Sequence, residues 1–153
     1  MKKLLIVSHT PSPNTMQMTS AAFRGASHVD LSDIEVMLSK PLETGPEHVL
    51  DTDAIMLGTT ENFGYMSGAM KDFFDRIYYP CLQKTDSLPY AIFIRAGNDG
   101  LGAQSSIERI VKGLAWKQVQ EPLICTGTWQ DSFAEQCEEL GTTMAAGLEA
   151  GIF

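Results

Sequence analysis

"KLLIVSHTPSPNT", residues 3–15, changes character halfway along. Leu4 to Val7 form an unbroken apolar run, the pattern of a strand covered on both faces rather than one. Ser8 and His9 end the run, and "HTPSPNT" (9–15) then packs three hydroxyls and an Asn around two prolines. From Thr15 to Ala26 the composition turns to Met, Ala, Phe and Gln, which predicts a helix capped by Asn14 or Thr15. A buried strand that passes through a polar turn into a helix is the opening unit of an α/β sheet.

The alternation continues down the chain. "DIEVMLS" (33–39), "DAIMLGT" (53–59), "PYAIFIRA" (89–96) and "EPLICTG" (121–127) read as further strands. Between them, "GPEHVLDT" is helix-like with Pro46 suited to a first turn, and "SGAMKDFFDRIYYPCL" (67–82) spaces Met70, Phe73, Phe74 and Ile77 on one helical face. "GAQSSIERIVKGLAW" (102–116) and "DSFAEQCEELGTTMAAGLEAG" (131–151) complete the set. Strands separated by helices imply right-handed crossovers and a parallel sheet with helices on both faces. No repeat, linker or low-complexity tract interrupts the pattern, so residues 1–153 read as one domain. Such sheets bind ligands beyond the carboxyl ends of their strands. That rule singles out three loops, 9–15, 59–66 and 95–101.

Composition narrows the function. A chain of 153 residues with 44% hydrophobic residues can bury a full core without staples. Cys81, Cys125 and Cys137 lack CxxC spacing and read as reduced thiols, which points to a cytoplasmic setting. The apolar run in "MKKLLIV" is shorter than the roughly 7–15 residues of a secretory leader, so neither a leader nor a membrane span is expected. A net charge of −8 argues against nucleic-acid binding, which needs a basic face, and is compatible with basic partners. His9, His28 and His48 lie far apart without ligand spacing, so no metal site is expected. Trp116, Trp129 and the methionines 16, 18, 66 and 70 read as packing residues.

The first loop sets Thr10, Ser12, Asn14 and Thr15 at a helix start, where free N–H groups and the helix dipole favour an anion. No Lys precedes the terminal Thr as a polyphosphate loop requires, so the donors are neutral. They suit one phosphomonoester, or simply cap a helix as a hydroxyl-rich turn does. "TPSPNT" resembles the phosphate loop of flavodoxins, a Thr/Ser-x-Thr/Ser-Gly-Asn-Thr pattern that wraps the phosphate of FMN. Thr10, Ser12, Asn14 and Thr15 match it, and Pro13 replaces its glycine. That replacement removes one backbone donor and leaves the N–H groups of Ser12, Asn14 and Thr15 for phosphate.

"GTTENFGYMSGAMKDFFDR" (58–76) is similar to a stretch of flavodoxin-like NAD(P)H-dependent FMN reductases and WrbA-type quinone reductases. Gly58, Thr59, Phe63, Gly64, Met66, Ser67, Met70, Lys71, Phe73, Asp75 and Arg76 match, while Thr60 and Asn62 replace the family's Pro and Tyr. The resemblance implies that Thr60, Glu61, Asn62, Phe63 and Gly64 run along the flavin ring, with Phe63 as an apolar wall. Ser67 reads as a helix cap, and Asp75 with Arg76 as an ion pair anchoring that helix. In "RAGNDGLG" (95–102) the glycines, Asn98 and Asp99 permit a tight turn. By resemblance, Ala96, Gly97, Asn98, Asp99 and Gly100 border the flavin's pyrimidine end, although the loop could be a plain turn.

The resemblance therefore implies a flavodoxin-like three-layer sandwich whose five-stranded parallel sheet has the order 2-1-3-4-5. It implies FMN as cofactor, no catalytic side chain, and electron transfer from NAD(P)H to a quinone, a flavin or another small acceptor. It also implies homo-oligomers in which a neighbour covers the flavin. A flavodoxin-type carrier serving a redox protein is the alternative expectation, and a domain that has lost tight FMN binding is another. A phosphorylation receiver would need acidic residues where Ser8, His9, Thr59 and Thr60 stand.

Overall fold

In the computed structural model, residues 1–28 and 30–153 are described. Leu4, Leu5, Ile6 and Val7 are fully or almost fully buried because β1 (Lys2–Ser8) lies inside a parallel sheet. Its neighbours are β2 (Ile34–Ser39) on one side and β3 (Ala54–Asn62) on the other. Beyond β3 comes β5 (Pro89–Ala96), and the two short strands β6 (Lys117–Gln118) and β7 (Leu123–Thr126) close that edge. The order is the expected 2-1-3-4-5 with its last strand in two pieces. The expected fifth strand is thus shorter than 121–127, and β6 pairs with Pro89 and Tyr90 ahead of it. Pro122 stands in the interruption, where it owes the ladder no N–H.

Alternate residues of β1 serve two cores, as period-2 geometry requires. Leu5 and Val7 join Phe73, Phe74 and Ile77 of α3 (Gly68–Cys81) and Ile107 and Val111 of α4 (Leu101–Gly113). Leu4 and Ile6 face Met18, Ala21 and Ala22 of α1 (Pro13–Ala26) and Leu140 and Met144 of α5 (Asp131–Glu149). A short α2 (Pro46–Leu50), with Pro46 at its first turn, completes the helices. Trp116 is buried with its Nε1 donating to Thr85 Oγ1 at 2.8 Å, and Trp129 packs edge-on against Phe133, so both are packing residues. Met18, Met66 and Met70 fill the cores, but Met16 is 57% exposed on the outer face of α1 and is not a core residue.

The helices α1 and α5 meet through small side chains. Gly25 and Gly141 each face the other helix's backbone so closely that a methyl group would strike a carbonyl, of Glu138 and Ala22 respectively. Thr142 Oγ1 donates to the Gly25 carbonyl at 3.1 Å across the same seam. This seam holds the carboxyl half of α1 against α5, while the Ser8–Thr19 hydrogen bond ties the amino half to the end of β1. No helix among the described residues is long and apolar enough to cross a membrane.

Candidate functional site

The three loops singled out by the sequence lie at the carboxyl ends of β1, β3 and β5, which are consecutive in the sheet. In the first, Ser8 Oγ lies 2.7 Å from Thr19 Oγ1, tying the strand end to α1. The helix starts at Pro13 and its cap is Ser12, rather than Asn14 or Thr15. Pro13 occupies the first helical position, where its fixed φ suits the helix and the N–H has no intrahelical partner to lose. Ser12 and Thr15 bond reciprocally: Ser12 N–H donates to Thr15 Oγ1 at 3.0 Å, and Thr15 N–H donates to Ser12 Oγ at 3.2 Å. Two of the three N–H groups expected to be free are therefore engaged inside the loop, a correction that periodicity could not have supplied. Among the described residues, the N–H of Asn14 and the side chains of Thr10 and Asn14 have no hydrogen-bond partner.

His9 follows the strand, its N–H donating to the Gly58 carbonyl at 3.0 Å. Burial holds its imidazole below the ordinary histidine value, so near neutrality it is uncharged. A void of about 10 Å³ between His9, Thr15, Thr59 and Arg95 has room for one water.

The second segment is a hairpin rather than a loop. β3 runs on through Thr59, Thr60 and Glu61 to Asn62, turns, and returns as β4 (Tyr65–Met66). Phe63 and Gly64 form the two-residue turn, both with positive φ, 53° and 70°. Such turns match strand twist, but a side-chain-bearing residue in the left-handed region costs about 1–2 kcal/mol. Phe63 is nonetheless completely exposed at the tip. Glu61 points back to α4, where its carboxylate accepts from the N–H groups of Gly102 at 3.0 Å and Ala103 at 3.2 Å. Met66 N–H donates to Ser106 Oγ at 3.2 Å. Thr59 Oγ1 accepts from Ser67 N–H at 3.0 Å, and Ser67 Oγ accepts from Met70 N–H, so Ser67 is the cap of α3 as its sequence context indicates. Thr60 Oγ1 is buried without a hydrogen-bond partner.

The third loop, Gly97 to Gly100, ends in a left-handed Gly100 directly before α4. Asp99 Oδ1 accepts from the N–H of Leu101, the first residue of that helix, at 3.0 Å. The N–H groups of Asn98 and Asp99 have no partner among the described residues. Ala96 is buried, while Gly97, Asn98 and Asp99 are exposed. Arg95 pins the loop from below. Its guanidinium donates to the carbonyls of Ala96, Cys125 and Gly127 and lies 5.3 Å and 6.0 Å from the ring centres of Phe133 and Trp129. Sequence reading passed over Arg95, although a charge closing an apolar strand was a visible signal. It also gave Glu61 no role beyond lining the ring and did not find Ser106, whose partner lies 40 residues away.

Elsewhere the expected Asp75–Arg76 pair does not form. Lys71 pairs with Asp75 and Arg76 with Asp72, each at helical i,i+4 spacing and 2.6 Å. Arg76 does anchor the structure, donating to the carbonyls of Pro41 and Thr44. Pro41 lines one of two grooves of about 300 Å³ each on the β2 side of the first loop, which share Ser8, Thr10, Lys40 and Glu43. At the turns of the second and third loops a methyl group on Gly64 or Gly97 would meet no atom within 4 Å beyond its chain neighbours, so the backbone is open at both.

A solved flavodoxin from the domain Archaea superposes with a TM-score of 0.81 over 96% of this chain and 99% of that one, at 19% identity. The fold is flavodoxin-like. A WrbA-like flavodoxin from Agrobacterium tumefaciens shares the flavodoxin-like fold at a TM-score of 0.75 and 16% identity, covering 95% of this chain and 96% of that one. In sequence, a flavodoxin from Aquifex aeolicus (strain VF5) is 31% identical over 102 residues, 67% of this chain. Those residues span 54% of that relative, about half of its length. No family model matches the chain.

Proposed function

We propose that the chain binds FMN at the ends of β1, β3 and β5 and passes electrons from NAD(P)H to a quinone, a flavin or another small acceptor. The observation that carries this reading is that the Thr60–Gly64 hairpin, the Ala96–Gly100 turn and a neutral hydroxyl-rich helix start stand at the carboxyl ends of three neighbouring strands, with open backbone at Gly64 and Gly97. When bound, FMN supplies hydride and single-electron chemistry.

The residues present fit that group. Thr60 Oγ1 is a buried hydroxyl that lacks a partner, and the N–H groups of Asn98 and Asp99 are unpaired donors for a polar ring edge. The backbone at Gly64 and Gly97 leaves room for a flat ligand to come close. At the phosphate end, Asn14 N–H, the Asn14 amide and the Thr10 hydroxyl would hold the anion, with the reciprocal Ser12–Thr15 bonds setting the loop's shape. Phe63 would supply the apolar wall. Asp99, an exposed carboxylate in the third loop, would disfavour added negative charge on the ring.

A carrier role toward a redox protein is the second reading. Phe63, Tyr65 and Leu101 are exposed apolar side chains on the hairpin and the start of α4, and a net charge of −8 suits a basic partner. Anaerobic mixing of the FMN-loaded protein with NADH or NADPH separates the two. Rapid bleaching of the flavin supports the reductase, and no bleaching within minutes supports the carrier.

A further inference from the structure

We infer that Glu61, Gly102 and Ser106 are positioning residues that latch the Phe63 hairpin to α4 and so hold a preformed wall for a flat aromatic ligand. The inference rests on the FMN reading above for the ligand's identity, but the latch itself is a property of the protein alone.

Three contacts of different kinds make the latch. The Glu61 carboxylate accepts from the first-turn N–H groups of Gly102 and Ala103, where a negative charge also meets the positive end of the helix dipole. The turn backbone lies directly on α4, and a methyl group at Gly102 would sit 2.9 Å from Gly64 Cα and 2.5 Å from its carbonyl carbon. The returning strand is held by the Ser106 hydroxyl on the next helical turn, which accepts from Met66 N–H and donates to the Ala103 carbonyl. A two-stranded hairpin with strands this short has little stability of its own. Its tip also carries an aromatic residue in a left-handed conformation with nothing packed on it. Such a conformation persists only where neighbouring contacts impose it, and such sites cluster at ligand clamps.

A consequence follows for the charge at the site. Glu61 lies in the hairpin that would border the ring, yet its carboxylate is turned onto α4. Its contribution is geometric: it fixes where Phe63 stands. Asp99, spanning only Leu101 on its own loop, cannot replace it.

The test combines amide hydrogen exchange with flavin titration on the full chain. In flavin-free protein, Glu61→Ala is expected to speed exchange of the Gly102 and Ala103 amides about tenfold or more, from the loss of two charge-assisted hydrogen bonds. Gly141→Ala, which loosens the α1–α5 seam instead, should leave those two amides unchanged. With flavin, Glu61→Ala should weaken both FMN and riboflavin about tenfold and diminish the spectral change of the visible flavin band on binding. Glu61→Gln, which keeps one acceptor oxygen, should recover part of each. Unchanged exchange at Gly102 and Ala103 in Glu61→Ala overturns the latch. Faster exchange with flavin affinity and spectrum unchanged overturns the positioning role. If wild-type protein takes up no flavin, the FMN reading fails, and the exchange experiment still decides whether the latch exists.

Discussion

Gly141→Ala tests the close packing of α1 against α5. Gly141 lies in α5 with ordinary helical backbone, so no conformational strain attends the change. An added Cβ would lie 2.9 Å from the Ala22 carbonyl carbon, closer still to its oxygen, and 3.1 Å from Ala26 N. All three are backbone atoms of α1, and Gly25 makes the reciprocal contact one turn away against Glu138. An acceptable carbon–oxygen separation is about 3.3–3.6 Å, so α1 must retreat by about 1 Å. Overpacking of this kind costs about 1–3 kcal/mol, offset by about 1 kcal/mol of better helix propensity. The net expectation is a loss of up to about 2 kcal/mol, which at this chain length lowers Tm by up to about 8 °C. Gly147→Ala is the comparison, because its obstacle is a single side-chain ring, that of Phe153, rather than the backbone of a neighbouring helix. Thermal and urea unfolding of both variants read the difference. A Gly141→Ala protein as stable as Gly147→Ala would refute the reasoning.

Three further outcomes are expected. Thr15→Val removes the hydroxyl that accepts from Ser12 N–H and donates to the Ser12 carbonyl, so it should lower unfolding stability in urea by about 1–2 kcal/mol even without ligand. Burial lowers the His9 pKa below 6.5, so the unfolded chain takes up this proton before the folded one does. Stability should therefore fall as pH drops below 6.5 and level off under the folded value, and His9→Gln should flatten that slope in unfolding curves measured across this range. Arg95→Met leaves the Cys125 and Gly127 carbonyls without their donor and removes the cation from the Trp129 and Phe133 rings, so chemical unfolding should show a loss of about 2–3 kcal/mol.

Much of the fold was written in local pattern. Leu4–Val7 announced a doubly covered strand, and Met70, Phe73, Phe74 and Ile77 named the buried face of α3, because both signals depend only on periodicity. The site was legible in position but less so in detail. Strand ends fixed where its loops would lie. The bonds inside them depend on contacts that periodicity does not encode. Ser12 and Thr15 satisfy each other because Pro13 starts the helix two residues earlier than composition suggested. Residues 59–66 form a hairpin because Glu61 and Met66 find partners on α4, some 40 residues later. Asp75 and Arg76 are adjacent in sequence but point around the helix to partners four residues back. Two short strands share one edge position because Pro122 interrupts the ladder.

The Gly64 and Gly97 turns and the hydroxyl-rich helix start should together form one FMN site. Titrating flavin-free protein with FMN and with riboflavin, following the quenching of flavin fluorescence, tests it most directly. Saturation is expected at one FMN per chain, with an affinity for riboflavin at least about tenfold weaker, the share expected from phosphate hydrogen bonds. Equal affinity for the two ligands, or no quenching by FMN, would contradict it.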